Sequence, residues 1–117
     1  MCGLLEGGDI LARCGVERNG RLILTGGAAR SRSYRQVLAD LTGRTVLVSS
    51  ITETAAAGAA VQAAAALTGS PIAEIAADWA PALEIAAKPD RTAVEEANAV
   101  RRAYHKAADE AWRERQT

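Results

Sequence analysis

The sequence contains no phenylalanine and only two tryptophans and two tyrosines. Apolar residues make up 49% of it, but much of that share is alanine. A core built from such residues is thin and closely packed rather than bulky. An excess of one charge is also missing, with 14 Lys and Arg against 14 Asp and Glu. This balance gives no general attraction to a polyanion, so nucleic acid is not an expected partner. No apolar run approaches the roughly 20 residues that a membrane span needs. Met1 is not followed by the charged-then-apolar pattern of a secretory signal. The expectation is a cytoplasmic chain without a membrane partner.

Cysteine is scarce too. Cys2 and Cys14 are the only two, and if the segment between them is helical they stand roughly 18 Å apart. That is beyond disulfide reach, so both read as free thiols. There is no CxxC and only one histidine, which leaves no zinc-ligand pattern. A length of 117 residues sets an upper bound of one domain.

What is present is a run of short elements. Residues 3 to 14 place Leu4, Leu5, Leu11 and Cys14 at near-helical spacing, although Gly7 and Gly8 weaken that helix. "VERNG" reads as a turn. "RLILT", Arg21 to Thr25, reads as a strand buried on both faces, as in a parallel sheet. Ser31 is placed to cap the next helix, where Tyr34, Val37, Leu38 and Leu41 fall on one face. Gly43 ends that helix, and "TVLV", Thr45 to Val48, is a second strand. Strand, helix and strand form a βαβ unit whose crossover should be right-handed.

The polar loop Ser49 to Thr54 leads into an alanine-rich helix ending near Leu67, and a brief helix follows Pro71. "DWAPALEIAAKPD" reads as a loop bounded by prolines. Thr92 and Glu95 have capping-box spacing for a last helix. Ala97, Val100, Tyr104, Ala107 and Ala111 then form a stripe toward a core, with Arg101, Arg102 and His105 turned to water.

Gly26 and Gly27 end the first strand where it feeds a helix. In open α/β sheets ligands bind outside the carboxyl ends of strands. Glycine lets the backbone turn tightly and lets a ligand come close. The N–H groups of a following helix favour phosphate, and Arg30 and Ser31 add a cation and a hydroxyl. "TGGAARS" therefore reads as a nucleotide-contacting turn, or equally as nothing more than a tight βα turn. It is neither GxGxxG nor GxxxxGK[ST].

Taken together, "GRLILTGGAARSRSYRQVLADLTGRTVLV" and "ETAAAGAAVQAAAALTG" resemble the C-terminal part of the FGGY family of carbohydrate kinases, in wording closest to its xylulokinase branch. Ribulokinases, gluconokinases and glycerol kinases are the alternatives within the family. The resemblance rests on Gly26, Gly27, Arg30, Ser31, Arg35, Gln36, Ala39, Asp40, Gly43, Val46, Glu53, Ala57, Gly58, Ala59 and Ala60. It covers residues 3 to 70 well and the last helix loosely. It implies an α/β fold, part of a ribonuclease-H-like, actin-like ATPase domain with a βαβ core, added helices and an incomplete sheet. Residues 1 to 70 would be the nucleotide-binding piece, and 71 to 117 a helical extension packed on it.

By the same resemblance, ATP would rest on Gly26, Gly27 and Ala28, flanked by Arg30 and Ser31 and supported by Gln36. Glu53, Ala57 and Gly58 would lie near the adenine. Magnesium, the sugar and the catalytic base would belong to a full-length kinase. The family's Asp-x-Gly-Thr turn does not occur in these residues. Asp9, Asp40, Asp78, Asp90 and Asp109 lack the base's sequence context. The expectation is about the last quarter of a kinase, inactive alone, with exposed apolar surface through which it self-associates. The competing expectation is a non-catalytic module that acts through self-association or a partner.

Overall fold

The computed structural model describes residues 1–17 and 19–116. Arg18, inside the expected turn at 16–20, and Thr117 lie outside them. Helix α1 spans Cys2–Arg13 and forms in spite of its glycines. The Met1 carbonyl accepts the Leu4 and Leu5 N–H groups at 3.0 and 3.2 Å, which starts it. Its apolar face is only partly used. Leu5 is buried, while Leu4 is 74% and Leu11 55% exposed. Both cysteines are free, as the spacing predicts.

Strand β1, Leu22–Leu24, lies parallel to β2, Val46–Ser49, with Leu22 opposite Val46 and Leu24 opposite Val48. Between them runs α2, Arg32–Thr42. Ser31 caps α2 as expected, its Oγ accepting the Tyr34 N–H at 3.2 Å. Gly43 closes it at φ 64°, a left-handed conformation that other residues adopt only at a cost.

The segment read as a loop between the prolines holds a third strand. Strand β3, Leu83–Ala87, pairs antiparallel with β2, with Leu47 opposite Ile85 and Ser49 opposite Leu83. "LEIAA" has weak strand propensity, so the signal was absent from the local sequence. The free edge of β2 supplies the hydrogen bonds that decide the matter. The order is β1-β2-β3, an open sheet with two edges. The region after residue 70 is therefore more than a helical extension, since it contributes a strand.

The core sits on one face of this sheet. Leu5 of α1, Leu38, Ala39 and Leu41 of α2, Val46, Ala87 and Ala97 form one cluster, with Val46 and Ala39 wholly buried. The other face is open, which corrects the expectation of strands buried on both sides. Ile23 pairs with Leu47 and Leu47 with Ile85, so the three share that face. Ile23 and Ile85 remain 42% and 61% exposed. Helices α3, Thr54–Thr68, and α4, Ile72–Asp78, pack on each other, and Ala65 is their one buried residue.

Helix α5 spans Val94–Glu114. The capping box does not form, because Thr92 serves the preceding turn instead. Its N–H and Oγ1 both donate to Asp90 Oδ1, at 2.9 and 2.7 Å. The stripe on α5 is also only partly used: Ala97 is buried, but Val100 stays 51% exposed. The residues expected in water do the docking. Arg101 pairs with Asp9 of α1, and His105 Nδ1 lies 3.2 Å from Glu6 Oε1. The acidic groups on α1 explain this reversal, since they offer α5 partners that alanines cannot use.

The radius of gyration is 18.2 Å, against about 13–14 Å for a compact chain of this length. The accessible surface is 8397 Å², against roughly 6,000 Å² for a compact monomer of this mass. Much apolar surface is therefore left without cover.

Candidate functional site

The carboxyl ends of β1 and β2 lie side by side and open into a shallow groove of about 90 Å³. Gly26 makes the turn out of β1 at φ 75°, ψ −163°, a conformation open to glycine alone. Its carbonyl accepts the Ala29 N–H at 3.0 Å, which starts a single 3₁₀ turn over Gly27–Arg30. Gly27 has no such backbone demand. A methyl group added there would meet nothing within 4 Å. No packing within this chain requires a glycine at that position. The bend is bare and faces open space.

Gly26, Ala29 and Arg30 line the groove from the β1 side, and Val48, Ser49, Ile51 and Thr52 from the β2 side. Ser49 Oγ accepts the Ile51 N–H at 3.1 Å and shapes the loop after β2. Arg30 and Glu53 face each other across the mouth, Nη2 to Oε1 at 3.7 Å, with side chains 70% and 78% exposed. Glu53 holds the N-cap place of α3, where its carbonyl accepts the Ala57 N–H at 3.0 Å and its side chain makes no cap bond.

The expected site residues divide. Gly26, Gly27, Ala28, Arg30 and Ser31 lie on one turn, and Glu53 approaches it through Arg30. Ala57 and Gly58 instead line a separate apolar cleft of about 430 Å³ between α3 and α4, walled by Ile72, Trp79 and Pro81. Ile51 borders both spaces. Gln36 is committed away from the turn. Its Nε2 donates to Asp40 Oδ1 and to the Lys88 carbonyl, both at 2.9 Å. Asp40 Oδ1 also accepts the Asp90 N–H at 2.8 Å. Gln36 and Asp40 thus fasten the end of β3 to α2, where nucleotide contact was expected of Gln36.

Sequence reasoning missed Ser49 and Thr52, which border the groove beside Thr25 of the expected turn. The strand-end rule applied to β2 as well as β1 would have found them. Among the described residues no group of three His, Cys, Asp or Glu could hold a metal. Near the groove Glu53 is the nearby carboxylate, and it faces Arg30. That donor set does not fit a divalent cation on its own. No helix among the described residues is long and apolar enough to cross a membrane.

An open α/β sheet with a bare turn at one strand end and a polar loop at its neighbour's is a ligand-binding arrangement of α/β proteins. The model of the FGGY family of carbohydrate kinases, C-terminal domain, matches residues 2–67, and the chain belongs to that family. It is 39% identical over 92 residues to the xylulose kinase of Streptomyces rubiginosus, covering 79% of this chain and 18% of that protein. It is 37% identical over 76 residues to the xylulose kinase of Streptomyces coelicolor (strain ATCC BAA-471 / A3(2) / M145), covering 65% of this chain and 16% of that protein. The chain thus spans less than a fifth of the length of either relative. No solved structure matches it.

Proposed function

We propose that this chain is the nucleotide-binding C-terminal portion of a sugar kinase that transfers the γ-phosphoryl group of ATP to D-xylulose, giving ADP and xylulose 5-phosphate. The two xylulose kinases it resembles support the substrate. The single observation that carries the nucleotide role is the exposed, side-chain-free bend at Gly26 and Gly27, over which an added Cβ meets nothing. Phosphates resting there would take N–H groups of the 3₁₀ turn, and Ser31 keeps a hydroxyl hydrogen to donate. The fold is read as part of a ribonuclease-H-like, actin-like ATPase domain, with further strands belonging beside this open sheet.

Phosphoryl transfer is mostly positioning and charge stabilisation, and it needs a metal on the phosphates and a group that accepts the sugar's proton. Neither is offered by the groove, so this chain orients the nucleotide and is inactive alone. An assay of ADP release with D-xylulose and this chain is expected to read background. Equilibrium dialysis with Mg·ATP is expected to show weak binding that falls severalfold in Gly27→Val. Turnover by the chain, or binding indifferent to that change, would contradict the reading.

A second reading is favoured by one observation. Ile23, half-buried Leu47 and Ile85 form an apolar row whose two outer members are exposed, and a non-catalytic module would use such a row to hold a partner or a second copy.

A further inference from the structure

We infer that Arg35 of α2 supplies positive charge to the phosphates of the nucleotide, from behind the bend at Gly26 and Gly27. This rests on the nucleotide reading above. Arg35 is half-buried, and its Nε is shut off from water without a hydrogen-bond partner. Among the described residues it is the one buried side-chain nitrogen or oxygen left in that condition. An orphaned donor of this kind costs stability in the folded chain, so it calls for a partner from outside the chain. A guanidinium only donates, and its fork matches pairs of phosphate oxygens.

Position assigns that partner. Arg35 precedes Leu38 and Ala39 by three and four residues, and both are buried in the core, so it shares their sheet-facing side. It stands one turn nearer the start of α2, where its backbone N–H donates to the Ser31 carbonyl at 3.1 Å. Helical side chains lean toward the N-terminus of their helix, which carries this one toward the turn at residues 26 to 31. The groove lies on the same side of the sheet. Its floor includes Leu24, which packs against the core cluster, and Val48, two residues on from Val46 of that cluster. Arg35 does not itself line the groove, and its long stem lets the Nη groups turn to a phosphate on the bend. Arg30 is the weaker source of charge there, because Glu53 meets it at 3.7 Å and both are mostly exposed.

The test compares ATP with adenosine, which keeps the base and ribose and lacks the phosphates. Ligand-observed NMR titrations in excess Mg²⁺ give both affinities for the wild type, Arg35→Met and Arg35→Lys. The wild type is expected to bind ATP about tenfold more tightly than adenosine, the worth of one hydrogen bond to a charged group. Arg35→Met loses most of that advantage and keeps its affinity for adenosine, and Arg35→Lys recovers part of it. Methionine retains the apolar stem and removes the orphaned donor. Without nucleotide, the urea midpoint of Arg35→Met should therefore equal or exceed that of the wild type. Saturating ATP should raise the wild-type midpoint more than the variant's. A lower midpoint in Arg35→Met, or equal loss of both ligands, makes Arg35 a structural group and overturns the inference. An ATP advantage that survives Arg35→Met, or none in the wild type, overturns it too and leaves the nucleotide role standing. Binding of neither ligand at millimolar concentration overturns both.

Discussion

Arg101 of α5 pairs with Asp9 of α1, and its Nη1 donates to the Leu41 carbonyl of α2 at 3.2 Å. One guanidinium thus ties three helices together where apolar contact is thin. Both partners of the ion pair are mostly covered, at 24% and 33% exposed. Such a pair is worth more than a surface pair, and breaking it leaves charge and carbonyl poorly solvated. Arg101→Met keeps the apolar stem and removes the bonds. It is expected to lower unfolding stability by about 1–3 kcal/mol in urea titration. Asp9→Asn should cost a comparable amount, and the double variant less than the sum.

Asp90 opens the turn into α5. The Thr92 hydroxyl and then the Thr92 N–H, both bonded to its carboxylate, hold its pKa below the ordinary carboxylate range. The sign follows from linkage. The folded chain binds the Asp90 proton less readily than the unfolded chain. Its contribution to stability is then present above the unfolded pKa and is lost as pH falls through the folded one. Urea midpoints measured from neutral pH down to the acid range should show this loss, and Thr92→Val should make the dependence shallower.

The open face of the sheet makes a separate prediction. Ile85 is 61% exposed on an edge strand beside Leu47. An uncovered apolar edge of this kind promotes association between chains. Light scattering after size exclusion is expected to find self-associated species at high concentration, and Ile85→Lys should shift them toward monomer without lowering the melting temperature. A wild-type monomer at every concentration would contradict the expectation.

The parts of the fold legible in the sequence are those fixed by local rules. Ser31 caps and Gly43 stops α2 because each supplies a group that the neighbouring backbone lacks, and the β1–α2–β2 order followed from apolar spacing. Strand β3 was illegible because its pairing comes from β2 and not from its own residues. Arg101 and His105 were misread because periodicity on α5 carries no information about Glu6 and Asp9, almost a hundred residues earlier. At the site, Gly26 and Gly27 announced the bend by residue type. Gln36 did not announce that Asp40 and Lys88 would claim its amide, and Ala57 and Gly58 gave no sign of facing α4.

The most direct test of the account maps Mg·ATP onto this chain by backbone amide NMR. The account predicts shift changes concentrated on residues 26 to 31 and 49 to 53, reduced in Gly27→Val. Changes confined to the cleft between α3 and α4, or none at millimolar nucleotide, would contradict it.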